Sequence, residues 1–317
     1  MFKLTVLMIA AARAVAYHTV DPVFTPYYSN GTINLEVIPA YAELCVKSKV
    51  DVVLLGGSTA EWPSLTVAER LTLLSAWRSA LDKIPAPSRP QLLFHSGDTS
   101  VAVAKELTAA AKSHGADSVL IVAPCIMRPA TLSSLVDTIG SIAAQSDLPA
   151  IYYHYPALYG VDFKMDEFLQ AGGAKIPTLA GVKYIDSDMN TFTKAAAVKR
   201  SDMSPFILYN NDPLLAGMAV GSHGAISYTT VFPLVRQMQE AFDSANLVLA
   251  RNLSLRIMAY EAIVGKFGGK PAARVLPQIF DPRIIIGPPR APLEPIGHAD
   301  YEALRAELKQ AGYLPHN

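Results

Sequence analysis

The sequence predicts an α/β fold, a (β/α)₈ TIM barrel with additional C-terminal helices. Three observations point there. Short apolar, β-branched segments alternate with helix-patterned segments from about residue 19 onward, the order expected of parallel α/β architecture. Eight such apolar segments occur, the number a closed barrel needs. No G-x-G-x-x-G follows an early strand and no Walker sequence is present, which removes the main support for an open nucleotide-binding sheet.

The eight strand segments are residues 20–24, 50–55, 91–95, 118–122, 150–154, 179–184, 206–209 and 224–227. Each is largely apolar without alternation, as suits a strand covered on both faces. Thr66-Val67-Ala68-Glu69 has the capping-box spacing, an acid three residues after a threonine, and opens a helix. Further helical patterns cover 100–114, 131–145, 165–170 and 188–199, and Gly115 and Gly173 are placed as C-caps, where a left-handed residue costs glycine least. Residues 85–90 are a proline-rich loop before the third strand. From about residue 230 a C-terminal extension follows, with helical patterns over 233–267 and 298–312. Between them 284–293 is too rich in proline for a helix interior and is expected as an ordered loop. Residues 17–317 are therefore expected to form one domain, since α/β barrels run well past the usual domain length.

Composition bounds the partners. Among 317 residues, 27 basic side chains balance 27 acidic ones, which argues against nucleic acid or an anionic membrane, both of which select for basic surfaces. Cys45 and Cys125 lie far apart with no metal-ligand spacing, and are expected as buried free thiols. Residues 1–16 combine Lys3, an apolar run and Ala14-Val15-Ala16. They fit a secretory signal peptide as well as a helical or disordered extension, so the location is cytoplasmic or secreted.

Barrel enzymes hold their chemistry at the C-terminal ends of strands, and three strand ends are unusual. The second leads into Gly56-Gly57-Ser58-Thr59-Ala60-Glu61, the fifth into Tyr152-Tyr153-His154-Tyr155-Pro156, and the sixth ends Gly181-Val182-Lys183-Tyr184. A lysine finishing an apolar strand is either snorkelling to solvent or buried. Burial favours the neutral amine, the form that attacks a carbonyl. Tyr153 on the adjacent strand end offers an acid/base hydroxyl, against the plainer role of a core aromatic. Ser58 and Thr59 offer hydroxyl and backbone donors to a carboxylate, against the plainer role of an ordinary turn.

Taken in order, G-S-T-x-E, Y-x-x-P-A-L-x-G and G-V-K resemble the N-acetylneuraminate lyase and dihydrodipicolinate synthase superfamily. The likeness extends over about residues 23–293 and includes Thr25-Pro26, Asn30-Gly31, Ala68-Glu69-Arg70 and Gly287-Pro288-Pro289-Arg290. It implies that Lys183 is a Schiff-base lysine and Tyr153 its acid/base partner. It also implies that Ser58 and Thr59 bind a pyruvate carboxylate, that Ile226 lines the pyruvate site, and that the enzyme is a homotetramer using no metal or organic cofactor. The stretches 153–160, 181–189 and 286–293 are most similar to the animal sialic acid lyases. Leu158 stands where the synthases carry an arginine for a second carboxylate.

Other positions depart from the lyases. Ala60 replaces a glycine, Ile185 a hydroxyl residue, and Asn211-Asp212 keeps only the second of two acids. Tyr209 and Tyr228 replace small residues, and Ile126 replaces an aromatic lent by a neighbouring subunit. The pyruvate half of the site is thus expected intact and the polyol half rebuilt, with Ile185, Tyr209, Asn211, Asp212 and Tyr228 as its contacts. The expected activity is N-acetylneuraminate lyase-like cleavage of a 2-oxo sugar acid to pyruvate and an aldehyde. The alternatives are a 2-keto-3-deoxy-sugar-acid or 4-hydroxy-2-oxoglutarate aldolase and, from another class, a non-catalytic binding barrel.

Overall fold

The computed structural model describes residues 17–199, 206–209 and 214–314. The signal-like residues 1–16, together with Asn211 and Asp212, lie outside the described residues. Eight strands occur in chain order: β1 His18–Pro22, β2 Val52–Leu55, β3 Gln91–His95, β4 Ser118–Val122, β5 Ala150–His154, β6 Leu179–Tyr184, β7 Phe206–Tyr209 and β8 Gly224–Ile226. Backbone contacts divide the chain into two compact units. One holds the described residues up to Val20 with Gln91–Ile226; the other holds Asp21–Pro90 and the residues from Ser227 onward.

In the first unit β3 to β8 and then β1 form a parallel sheet in which each strand pairs with the next. Strands β3, β4, β5 and β6 are buried almost throughout, as the unbroken apolar runs require. Helices Val101–Ala111, Leu132–Ala143, Met165–Lys175 and Met189–Ala196 alternate with the strands. Three of them start on a side-chain cap: Ser100 accepts from Val103 N, Thr131 from Ser134 N, and Asp188 from Asn190 N and Thr191 N. Each cap satisfies a donor that a helix start leaves open.

The second unit holds β2, fully buried, and helices Ile38–Lys47 and Val67–Leu81. The C-terminal helices Phe232–Asp243, Leu247–Lys266, Lys270–Arg274, Leu276–Phe280 and His298–Gln310 complete it. The expected capping box is present: Thr66 Oγ1 accepts from Glu69 N at 3.2 Å while Thr66 N donates to Glu69 Oε2 at 2.9 Å.

Four expectations are corrected. The first strand begins two residues early and stops at Pro22, because register with β8 (His18↔Gly224) decides its limits rather than hydropathy. The pattern over 233–267 breaks at Ala245, whose φ is 59°, and Asn246 caps a second helix through Leu249 N. Gly173 is interior to Met165–Lys175 and caps nothing, whereas Gly115 has the left-handed φ of 95°. Cys45 is a buried free thiol, but Cys125, in the loop after β4, is only half-buried. Among the described residues no helix is long and apolar enough to cross a membrane.

Candidate active site

Lys183 and Tyr153 are Cα partners in the β5–β6 register. Partners in a parallel pair project to the same face, so the two side chains meet. Lys183 is only 3% exposed, and its Nζ lies 4.1 Å from the centroid of the Tyr153 ring. The contact is with the ring face, which packs against the buried amino group. Tyr153 is itself fixed edge-on by two rings, His95 at 6.0 Å and Tyr159 at 5.4 Å, and Tyr155 lies tilted 6.2 Å away. His95, buried at the end of β3, belongs to this group and escaped the sequence reading. Nothing about a lone histidine ending an apolar strand distinguishes it from a core residue.

The Cα register runs from Lys183 to Leu208 on β7 and from Leu208 to Gly224 on β8. Ile226, two residues past Gly224 and fully buried, projects to the same face by the period of two. Ile185 follows β6 half-buried, its backbone N donating to His154 O at 2.9 Å. Tyr209 lies in β7 with Tyr184, rather than Lys183, as its Cα partner.

Ser58, Thr59 and Tyr228 belong to the second unit. After β2 the chain turns through Gly56–Glu61: Gly57 O accepts from Ala60 N at 3.0 Å, Ser58 O accepts from Glu61 N at 3.3 Å, and both hydroxyl residues are half-buried. Thr25 Oγ1 donates to Ala60 O at 2.8 Å, holding the turn from outside. Glu61 closes it in left-handed backbone, φ 60° and ψ 41°. A non-glycine residue there costs of order 1–2 kcal/mol, and the Glu61 carboxylate holds it in place. That carboxylate accepts from Arg274 Nη1 at 2.6 Å and from Arg290 N at 3.2 Å. Burial raises the Glu61 pKa, while the Arg274 charge works the other way.

Arg274 donates onward to Thr25 O and Gly287 O, each at 2.8 Å. Arg290 grips Glu69, the capping-box acid, with both terminal nitrogens (2.5 and 3.0 Å) and reaches Gly31 O with Nε at 3.0 Å. The Arg290 bonds hold the Glu69 carboxyl down at about 2. Gly287 must be glycine, since a Cβ there would stand 1.9 Å from Tyr27 O. The scattered Thr25-Pro26, Gly31, Glu61, Glu69 and 287–290 pieces of the sequence are thus one network supporting the Ser58-Thr59 turn. Tyr228 lies stacked on Phe24, ring centroids 6.3 Å apart and 15° between planes.

The chain is similar to known proteins along most of its length. The dihydrodipicolinate synthetase family model matches residues 17–311. The chain is 31% identical over 296 residues to N-acetylneuraminate lyase of Homo sapiens, covering 92% of this chain and 91% of that one. It is 33% identical over 298 residues to N-acetylneuraminate lyase of Xenopus tropicalis, covering 90% and 93%. The solved Proteus mirabilis N-acetylneuraminate lyase superposes with a TM-score of 0.85 at 26% identity, covering 94% of this chain and 99% of that chain.

Proposed function

Because the chain belongs to the dihydrodipicolinate synthetase family, we propose that it is a lysine-imine aldolase, a carbon–carbon lyase of the N-acetylneuraminate lyase kind. The observation that carries this reading is the buried Lys183 amino group held against Tyr153. Burying a lysine costs free energy, and a strand end supplies a rigid mount for chemistry. The same reading makes the fold one closed (β/α)₈ domain with strands in sequence order. Support comes from the parallel β3–β8 pairings and from β8 pairing on β1.

In the proposed reaction the neutral Lys183 amine adds to the 2-oxo carbon of the substrate. The carbinolamine loses water with the Tyr153 hydroxyl as acid, giving an iminium that acts as an electron sink. Loss of the C4 hydroxyl proton to a base then breaks the C3–C4 bond. Its electron pair moves into a C2–C3 double bond, neutralising the nitrogen, and the aldehyde leaves. Protonation of the enamine at C3 and hydrolysis release pyruvate and free Lys183. Ser58 and Thr59 hold the carboxylate, in a turn whose backbone is tied from several sides, and Ile226 lines the pyruvate half. Ile185, Tyr209, Asn211, Asp212 and Tyr228 contact the aldehyde half. The assembly is a homotetramer on this reading.

Borohydride reduction with pyruvate, followed by peptide mass analysis, tests the proposal. A stable adduct on Lys183, absent from Lys183→Ala, is expected. A folded protein that traps nothing beside a working control would instead favour the binding-barrel reading. A second reading, cleavage of a smaller 2-keto-3-deoxy sugar acid or 4-hydroxy-2-oxoglutarate, is favoured by Ile185 and Tyr228. Both put apolar or bulky groups where a polyol needs hydrogen-bond partners. Ile185→Ser separates the two: it should improve sialic acid cleavage if that substrate is close to native, and unchanged turnover would favour the smaller substrates.

A further inference from the structure

The period of two along β5 and β6 turns His154 and Tyr184 to the face opposite Tyr153 and Lys183. There His154 is 1% exposed. Its ring is packed against Tyr184 at 5.1 Å and Tyr152 at 6.4 Å. Two carboxylates face it. Asp186 Oδ2 stands 3.8 Å from His154 Nε2, while Asp186 Oδ1 accepts from Asp188 N at 3.1 Å and so orients the group. Asp162 is exposed, in the loop before helix Met165–Lys175. One ligand atom from each of His154, Asp162 and Asp186 falls within 4.8 Å of the others.

The plain alternative is a buried histidine hydrogen-bonded to an acid, and the separation does not suit it. The ring is closed off from solvent by Tyr184 and Tyr152, and Asp186 and Asp162 are the acids that face it. At 3.8 Å the Asp186 oxygen is beyond hydrogen-bond reach of Nε2. Among the described residues Nδ1 is buried with no hydrogen-bond partner. An imidazole with two facing carboxylates is a donor set that one divalent cation completes. Two atoms each about 2.0–2.2 Å from one ion stand at most roughly 4.4 Å apart. The His154–Asp186 separation is already inside that limit, and rotation of the exposed Asp162 side chain completes the set.

We propose that His154, Asp162 and Asp186 bind one first-row divalent transition cation, best matched by Zn²⁺, with water filling the remaining positions on the exposed Asp162 side. The imidazole disfavours Mg²⁺ and Ca²⁺, which take oxygen ligands, and the lack of a thiolate disfavours Cu⁺. His154 adjoins Tyr153, and Asp186 lies three residues past Lys183, so the ion would clamp the ends of β5 and β6 from behind the catalytic face. No step of the aldol reaction passes through it.

Tag-free protein, stripped with chelator and desalted, would be titrated with Zn²⁺ by calorimetry, and with Co²⁺ to read donor geometry from its visible spectrum. One Zn²⁺ per chain is expected, with a thermal midpoint that rises with free Zn²⁺. Asp162→Asn changes an exposed side chain and should fold normally; its Zn²⁺ affinity is expected to fall at least about tenfold. His154→Gln is expected to abolish tight binding. Absence of stoichiometric uptake by the wild type would overturn the site, and so would unchanged uptake by folded Asp162→Asn.

Discussion

Tyr153 contributes more than a hydroxyl: its ring face carries the Lys183 amino group, and His95 and Tyr159 fix that ring edge-on. Tyr153→Phe keeps the ring and removes only the oxygen. It should therefore still form the borohydride-trapped adduct while turning over about 10²–10⁴-fold more slowly. Wild-type turnover in that variant would move the acid/base role to another group. Asp21 is the other residue whose surroundings dictate its chemistry. It is fully buried, accepts hydrogen bonds from Thr229 and from the Cys45 thiol, and burial raises its pKa from 3.8 to about 7. The folded state therefore keeps a proton that the unfolded chain loses above about pH 4. The associated stability is complete below that pH, declines as pH rises to about 7, and then levels off. The slope is at most about 1.4 kcal/mol per pH unit. Urea titrations of wild type and Asp21→Asn between pH 4 and 8 should show this slope in the difference between them. A difference independent of pH would mean that Asp21 is ionised throughout.

The Gly56–Glu61 turn gains its rigidity from elements distant in sequence. Arg274 alone joins Thr25 O, Glu61 and Gly287 O, in a site nearly closed to water. Lysine there would keep the charge but lose the planar fork that reaches several acceptors at once. Arg274→Lys should destabilise the protein by about 3 kcal/mol, the scale of charge-assisted hydrogen bonds. In enzyme that remains folded, pyruvate affinity should weaken more than the rate of the chemical step, because the turn carries Ser58 and Thr59. Equal losses in both would place the effect on Lys183 rather than on the turn. The same reasoning extends to the helix opened by Thr66: Glu69 caps it and anchors Arg290 with one carboxylate.

At the scale of the whole molecule the exposed apolar side chains are the open feature. Ile126 is 76% and Met127 85% exposed in the loop after β4, and helix Leu247–Lys266 shows Leu247, Val248 and Leu255 to solvent. Side chains of this kind mark association surfaces when they gather in patches. Sedimentation velocity is expected to give a tetramer, and Ile126→Asp combined with Met127→Asp to shift it toward smaller species. A monomeric wild type would end the tetramer reading.

Much of this was legible in one dimension. Five of the eight strands begin and end where the apolar runs do, because a strand buried on both faces is apolar throughout and its short length separates it from a buried helix. Thr66 and Glu69 announced their helix because both partners of a capping box lie within one turn. Lys183 and Tyr153 were readable as strand-end residues whose types suit imine chemistry. What only the tertiary structure decided involves partners far apart in the chain. These include the ring face of Tyr153 under Lys183, His95 beside it, Arg274 locking Glu61, and His154 between Asp162 and Asp186. Sequence patterns report the local period and its burial. Register and long-range packing decide which side chains meet, and those depend on all the strands and loops together.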